Sequence, residues 1–165
     1  MESKRYLDTI TSFINHIGIP CVEGKVKESS FLPGIDIVDG SIIYDATKMQ
    51  SPGDLLHEAG HIAVLLSEHR QYVTSPDVNG DLQPGGAEMA AIAWSWAAAN
   101  HLKVPPEVVF HPDGYHGESN AIIDNFSNGR YFGVSLLQWF GMTVEKRTTN
   151  ASDAIYPVMH SWLRR

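Results

Sequence analysis

Five consecutive residues, His57-Glu58-Ala59-Gly60-His61, combine types and spacing that suit metal chemistry. On a helix, residues four apart lie about 40° apart around the axis and one turn along it, since each residue turns about 100°. Two imidazoles placed so can reach one tetrahedral zinc ion. Glu58 lies on the flank of the same face, badly placed to chelate but well placed to take a proton from water activated by the metal. The bland alternative is a buried helix whose two histidines are satisfied by hydrogen bonds. Several buried partners would then be needed on an otherwise apolar helix, whereas one metal satisfies both rings.

A catalytic zinc takes a third protein ligand and keeps one position open. The extended pattern HExxHxxGxxH would place its glycine at Val64 and its third histidine at Ser67, and neither fits. Glu68 and His69 lie too far along the same helix to bend back. The third ligand is therefore expected from elsewhere, with Glu88 the leading candidate. Ala91, Ser95 and Ala99 share its helical face and are small, which lets its helix pack close to the first. Asp77, Asp81, Glu118 and His111 are the other candidates, and a solvated first-turn glutamate is the bland reading of Glu88. A tetrahedral oxyanion also needs a hydrogen-bond donor. The glycine-flanked segment FHPDGYHGES offers Tyr115 and His116 first, then His111. As a plain loop it would only connect two helices.

These groups need a scaffold, and the hydrophobic pattern supplies its outline. Residues 3–17 read as an amphipathic helix closed by Gly18. Ile19–Val22, Ser30–Leu32, Ile35–Val38 and Ser41–Tyr44 read as short strands of a small antiparallel sheet, with Asp39-Gly40 as a hairpin turn. Ser51-Pro52-Gly53-Asp54 opens the motif helix, expected to run to about Glu68 and to be buried nearly all round. Residues 70–85 form a long polar loop. Helices follow at 86–101, 118–127, 134–140 and 155–163. The class is α+β, with the small sheet packed on a central HExxH helix in one domain over residues 1–165.

The pattern resembles the ImmA/IrrE-type zinc metallopeptidases, a gluzincin-like family, over roughly residues 35–142. The resemblance rests on DIVDGSIIYD before the motif helix, on HEAGH, and on Glu88 followed by Ala91 and Trp94. Phe132-Gly133-Val134-Ser135, ending at Gly141-Met142, resembles a later Val-Ser helix of the family. It implies a minimal zincin-like fold, with His57, His61 and Glu88 as zinc ligands and Glu58 as general base. Two departures concern the surroundings of the site: the family's Asn four after the glutamate is Ile92, and its later Arg is Gln138. By the same likeness, strand 41–45 would be a sheet edge beside the cleft, where a peptide substrate could pair by strand addition. A non-catalytic module stapled by zinc, or a hydrolase of a non-peptide amide, are the rival readings.

Bulk properties narrow the setting. The 165 residues carry 19 acids against 12 bases, a formal charge of -7, and the bases are scattered. A phosphate-tracking basic stripe is missing, so nucleic acid is not the expected ligand. Cys21 is the only cysteine, which rules out an internal disulfide. The opening MESKRYLDTITSF lacks the apolar run of a signal peptide, and Met89–Ala99 is too short to span a bilayer. A cytoplasmic protein acting on a peptide or protein substrate is the expectation.

Overall fold

The computed structural model of the chain describes residues 2–145 and 154–165. It is α+β, with a three-stranded sheet and seven α-helices among the described residues. Helix α1 (Glu2–His16) buries Ile10, Phe13 and Ile14. It ends as expected at Gly18, whose φ of 100° suits a residue without a Cβ. The Ile19 amide returns to the Ile14 carbonyl at 3.1 Å and closes the turn.

Strands β1 (Cys21–Glu23), β2 (Ile35–Val38) and β3 (Ser41–Tyr44) form the sheet in the order β1-β3-β2. Asp39-Gly40 makes the β2–β3 hairpin, with φ of 47° and 73°, as a type I′ turn requires. Three expectations are corrected here. The sheet is mixed: β2 pairs antiparallel with β3, but β1 pairs parallel with it. Hydrophobic alternation records which face a residue takes and says nothing about strand direction. Ser30–Leu32 is no strand, because Ser30 bonds to Lys27 and Leu32 in a local turn before Pro33-Gly34. Finally, β3 is the central strand rather than an edge, so it has no free ladder to offer a peptide.

Helix α2 (Asp54–Ala63) carries the HExxH motif and is almost wholly buried. A looser turn precedes it, in which the Ser51 amide donates to Asp54 Oδ2 at 3.3 Å, the reciprocal half of a capping box. The helix stops at Ala63, short of the expected Glu68. Its last carbonyls find partners elsewhere: Ala63 O accepts from the Arg164 amide, Val64 O from the Arg164 guanidinium and Leu65 O from Arg70. Leu66 is then extended (ψ 143°) and a short helix α3 (Ser67–Arg70) follows.

Helix α4 (Pro84–Leu102) starts with Pro84 in its first turn and ends at Lys103 in the left-handed region. It packs along α2. An added Cβ at Gly60 would stand 2.9 Å from the Ala91 carbonyl oxygen, so Gly60 is what lets the two backbones come this close. Helices α5 (Pro106–Val109), α6 (Ser119–Ser127) and α7 (Val134–Trp139) complete the helical layer. The helix expected at 155–163 does not form. Pro157 interrupts it, and amides there bond to distant carbonyls, His160 and Ser161 to Met142 O and Arg164 to Ala63 O. One cluster of buried apolar side chains joins α1, the sheet, α2 and α4. No helix among the described residues is long and apolar enough to cross a membrane.

Candidate metal centre

The α2–α4 packing brings together the three residues whose types suit a metal. His57 Nε2 and His61 Nε2 stand 3.2 Å apart. Glu88, in the first turns of α4, places Oε2 3.1 Å from His61 Nε2 and Oε1 3.4 Å from His57 Nε2. Ligand atoms about 2.0–2.1 Å from a tetrahedral zinc are separated by about 3.3 Å, so the spacing of these donors fits one ion. The donor set is two imidazoles and a carboxylate, with no thiolate. Among the described residues no fourth His, Cys, Asp or Glu joins the group. Its outer side is open: the Glu88 side chain is 46% exposed and all three residues line a cleft of about 590 Å³.

The other ligand candidates lie elsewhere. Asp81 pairs with Arg164 at 3.0 Å. His111 is buried and bonds Asp54 Oδ1 through Nε2 at 2.7 Å. Asp77 and Glu118 are exposed and outside the cluster.

Glu58 sits one residue past His57 and is buried, yet lines the same cleft. Burial pushes its carboxyl above the ordinary range, and the neighbouring His57 and His61 pull it only part of the way back. Burial would also lower His57, but the hydrogen bond to Glu88 and the charges of Glu58, Glu88 and Asp54 outweigh it, and the net shift is upward. Burial would raise Glu88, but the two histidines hold it well below the usual carboxylate range. The acids around His57 thus favour a positive charge on its ring, whereas burial at Glu58 disfavours charge of either sign. The outer nitrogens, His57 Nδ1 and His61 Nδ1, are buried without a hydrogen-bond partner among the described residues. Among the described residues no carboxylate or carbonyl orients these rings from behind, as one normally does for an imidazole that ligates a metal.

Tyr115 and His116 form a tight turn beside the centre. Both have positive φ, 55° and 52°, and Gly117 follows at 85°. Left-handed geometry at two consecutive residues with side chains costs on the order of 1–3 kcal/mol each. The strain is held by two anchors, His111 on Asp54 of α2 and Ser119 Oγ donating to His111 O at 2.6 Å. Tyr115 lays its ring edge-on to His57, centroids 5.2 Å apart. Its hydroxyl is buried without a partner among the described residues. Burial, and then the charges of Asp54, Glu88 and Glu58, raise it well above the ordinary phenol, so it stays a donor. His116 is exposed on the rim of the same cleft.

Asp54 is the residue whose role the sequence hid. It reads as a helix-start residue, and one oxygen does that work, while the other holds His111. The apolar lining of the cleft, Phe31, Leu32, Pro76 and Val78, was not legible either, since it comes from two loops. Of the two departures from the family pattern, Ile92 is a core residue and Gln138 accepts the Glu145 amide at 2.8 Å. Comparison with family models, curated proteins and solved structures gives no match. The centre is therefore read from its own residues.

Proposed function

We propose that this protein is a zinc-dependent peptide hydrolase on a minimal zincin-like scaffold, in which His57, His61 and Glu88 hold the metal. The observation that carries this reading is the convergence of two imidazole nitrogens 3.2 Å apart with the two oxygens of Glu88, one 3.4 Å from His57 and the other 3.1 Å from His61, at the wall of an open cleft, with the buried carboxyl of Glu58 alongside. When bound, zinc supplies Lewis acidity that lets water ionise near neutral pH. Glu58 takes the proton of the attacking water and returns it to the leaving nitrogen. Its burial suits that exchange, because a carboxyl with a raised affinity for protons is a better base than an exposed one. Tyr115 donates its hydroxyl hydrogen to the oxygen of the tetrahedral intermediate, and His116 on the rim is the second donor. The likeness to ImmA/IrrE-type metallopeptidases supports the same assignment, and the lone buried thiol of Cys21 suits a reducing, cytoplasmic setting.

Glu58→Gln tests the reading. The amide is nearly isosteric but cannot accept the proton. Zinc content and the unfolding curve are expected to match wild type while hydrolysis of a peptide mixture is lost. Wild-type turnover by the zinc-loaded variant would remove Glu58 as base; a wild-type chain that binds zinc but cleaves no peptide would favour a zinc-stapled interaction module.

A further inference from the structure

A single exposed aromatic side chain needs no explanation. Phe31, however, is 67% exposed and does not stand alone. With Leu32, Pro76 and Val78 it contributes apolar lining to the same cleft that His57, His61 and Glu88 line. No Lys or Arg lines that cleft among the described residues, and its charged groups besides the histidines are acids. An apolar side chain finds a surface to cover there.

Phe31 and Pro76 also border a second hollow of about 310 Å³, whose other residues are Lys27, Ser29, Ser30, Asp36 and Ser75. The two hollows thus adjoin across a ridge formed by these two side chains. Recognition by backbone pairing is closed off nearby. The central strand β3 is paired on both sides, and the outer edge of β2 is bonded to the 73–75 segment: Ile37 N to Ser75 Oγ, Ser75 N to Ile37 O and Gly40 N to Val73 O. A ligand that reaches past the metal centre in this direction is held by side chains.

We propose that Phe31 is a specificity-determining residue. It clamps a large apolar side chain next to the reacting bond, and its ridge with Pro76 passes the adjoining residues into the second hollow. The ligand is accordingly an extended peptide segment with an apolar residue at its centre, rather than a small amide. This assignment rests on the peptide-hydrolase reading for its ligand class.

The test uses binding to the full-length, zinc-loaded Glu58→Gln chain, so that affinity is read without turnover. The probes are fluorescein-labelled pools of randomised ten-residue peptides, alike except for one fixed central residue: Phe, Leu, Ser, Asp or Lys. The Phe and Leu pools are expected to bind roughly tenfold tighter than the Ser and Asp pools, the scale of discrimination an apolar contact provides. Adding Phe31→Ala, at an exposed position that does not endanger folding, is expected to erase that preference. A blocked tripeptide centred on Phe is expected to bind at least about fivefold more weakly than the Phe pool, because it cannot reach the second hollow. Equal affinity across the pools, no binding of any pool, or an unchanged preference in Phe31→Ala overturns the proposal. Wild-type cleavage of the same pools reports the reaction separately. Cleavage without preference sinks the role of Phe31 alone, and preference without Glu58-dependent cleavage sinks the hydrolase alone.

Discussion

At the scale of single residues, burial separates the groups around the cleft. Tyr115 carries a buried hydroxyl without a partner among the described residues, 5.2 Å ring to ring from a proposed ligand, whereas His116 is exposed. Loss of an oxyanion donor typically costs about 10²–10³ in rate. Tyr115→Phe is therefore expected to lower kcat about a hundredfold with zinc content unchanged, and His116→Ala less than about tenfold, because water screens an exposed donor. Steady-state kinetics with metal analysis of each variant decides this, and equal activity of Tyr115→Phe and wild type would move the donor elsewhere. Cys21 behaves as a small buried hydrophobe, its thiol pushed up to about 12 by burial. Iodoacetamide at pH 8 should leave it intact in the folded chain and alkylate it after unfolding. The sign of its pH effect follows from linkage. The unfolded thiol loses its proton near 9 and the folded one only near 12, so between them the unfolded state binds fewer protons. The contribution is complete below about 9 and falls by roughly 1.4 kcal/mol per pH unit above it. Urea midpoints of wild type and Cys21→Ala, compared at pH 8 and 10, measure this term.

At the scale of elements, the site is a product of how closely α2 approaches α4. Glycine inside a helix normally lowers stability by about 0.5–1 kcal/mol relative to alanine, so Gly60→Ala would stabilise an exposed helix. Here the new Cβ would meet the Ala91 backbone at 2.9 and 3.2 Å and the Trp94 ring at 3.3 Å. Helix backbone and a buried indole ring leave little to give, and overpacking of this kind costs about 1–3 kcal/mol. Gly60→Ala should lower the urea midpoint and, by pushing Glu88 away from the histidines, weaken zinc binding. A rise in both would refute the packing argument. Much of this level was legible in the sequence. The i, i+4 histidines, the small face Ala91-Ser95-Ala99 and the left-handed turns at Gly18 and Asp39-Gly40 are local signals with local consequences. Strand direction, the early stop of α2 and the failure of residues 155–163 to form a helix were not legible. Each depends on a partner distant in the chain: β3 for β1, Arg164 for the α2 carbonyls, and Met142 for His160.

At the scale of the whole molecule, the C-terminal residues close the fold behind the metal helix. The Arg164 guanidinium reaches Val64 O at 3.2 Å and both oxygens of Asp81 at 3.1 and 3.0 Å, and lies 4.0 Å over the Phe140 ring. Its backbone caps Ala63 through the amide and accepts Arg70 through the carbonyl. Hydrogen bonds to charged groups are worth about 1.5–3 kcal/mol. Arg164→Ala is thus expected to cost about 2 kcal/mol in urea unfolding while leaving the metal ligands in place; a loss within experimental error would make the tail decorative. The metal centre joins α2, α4 and the cleft that both line, and zinc binding measures it most directly. Titration of the metal-free full-length chain, with the absorption edge reporting the coordinating atoms, should give one zinc per chain bound by two imidazole nitrogens and carboxylate oxygen. His57→Ala, His61→Ala and Glu88→Ala should each weaken it by at least on the order of a hundredfold, since even the outer partners of a ligand are worth about ten- to a hundredfold. A chain that takes up no stoichiometric zinc, or one whose affinity survives Glu88→Ala unchanged, would contradict the account.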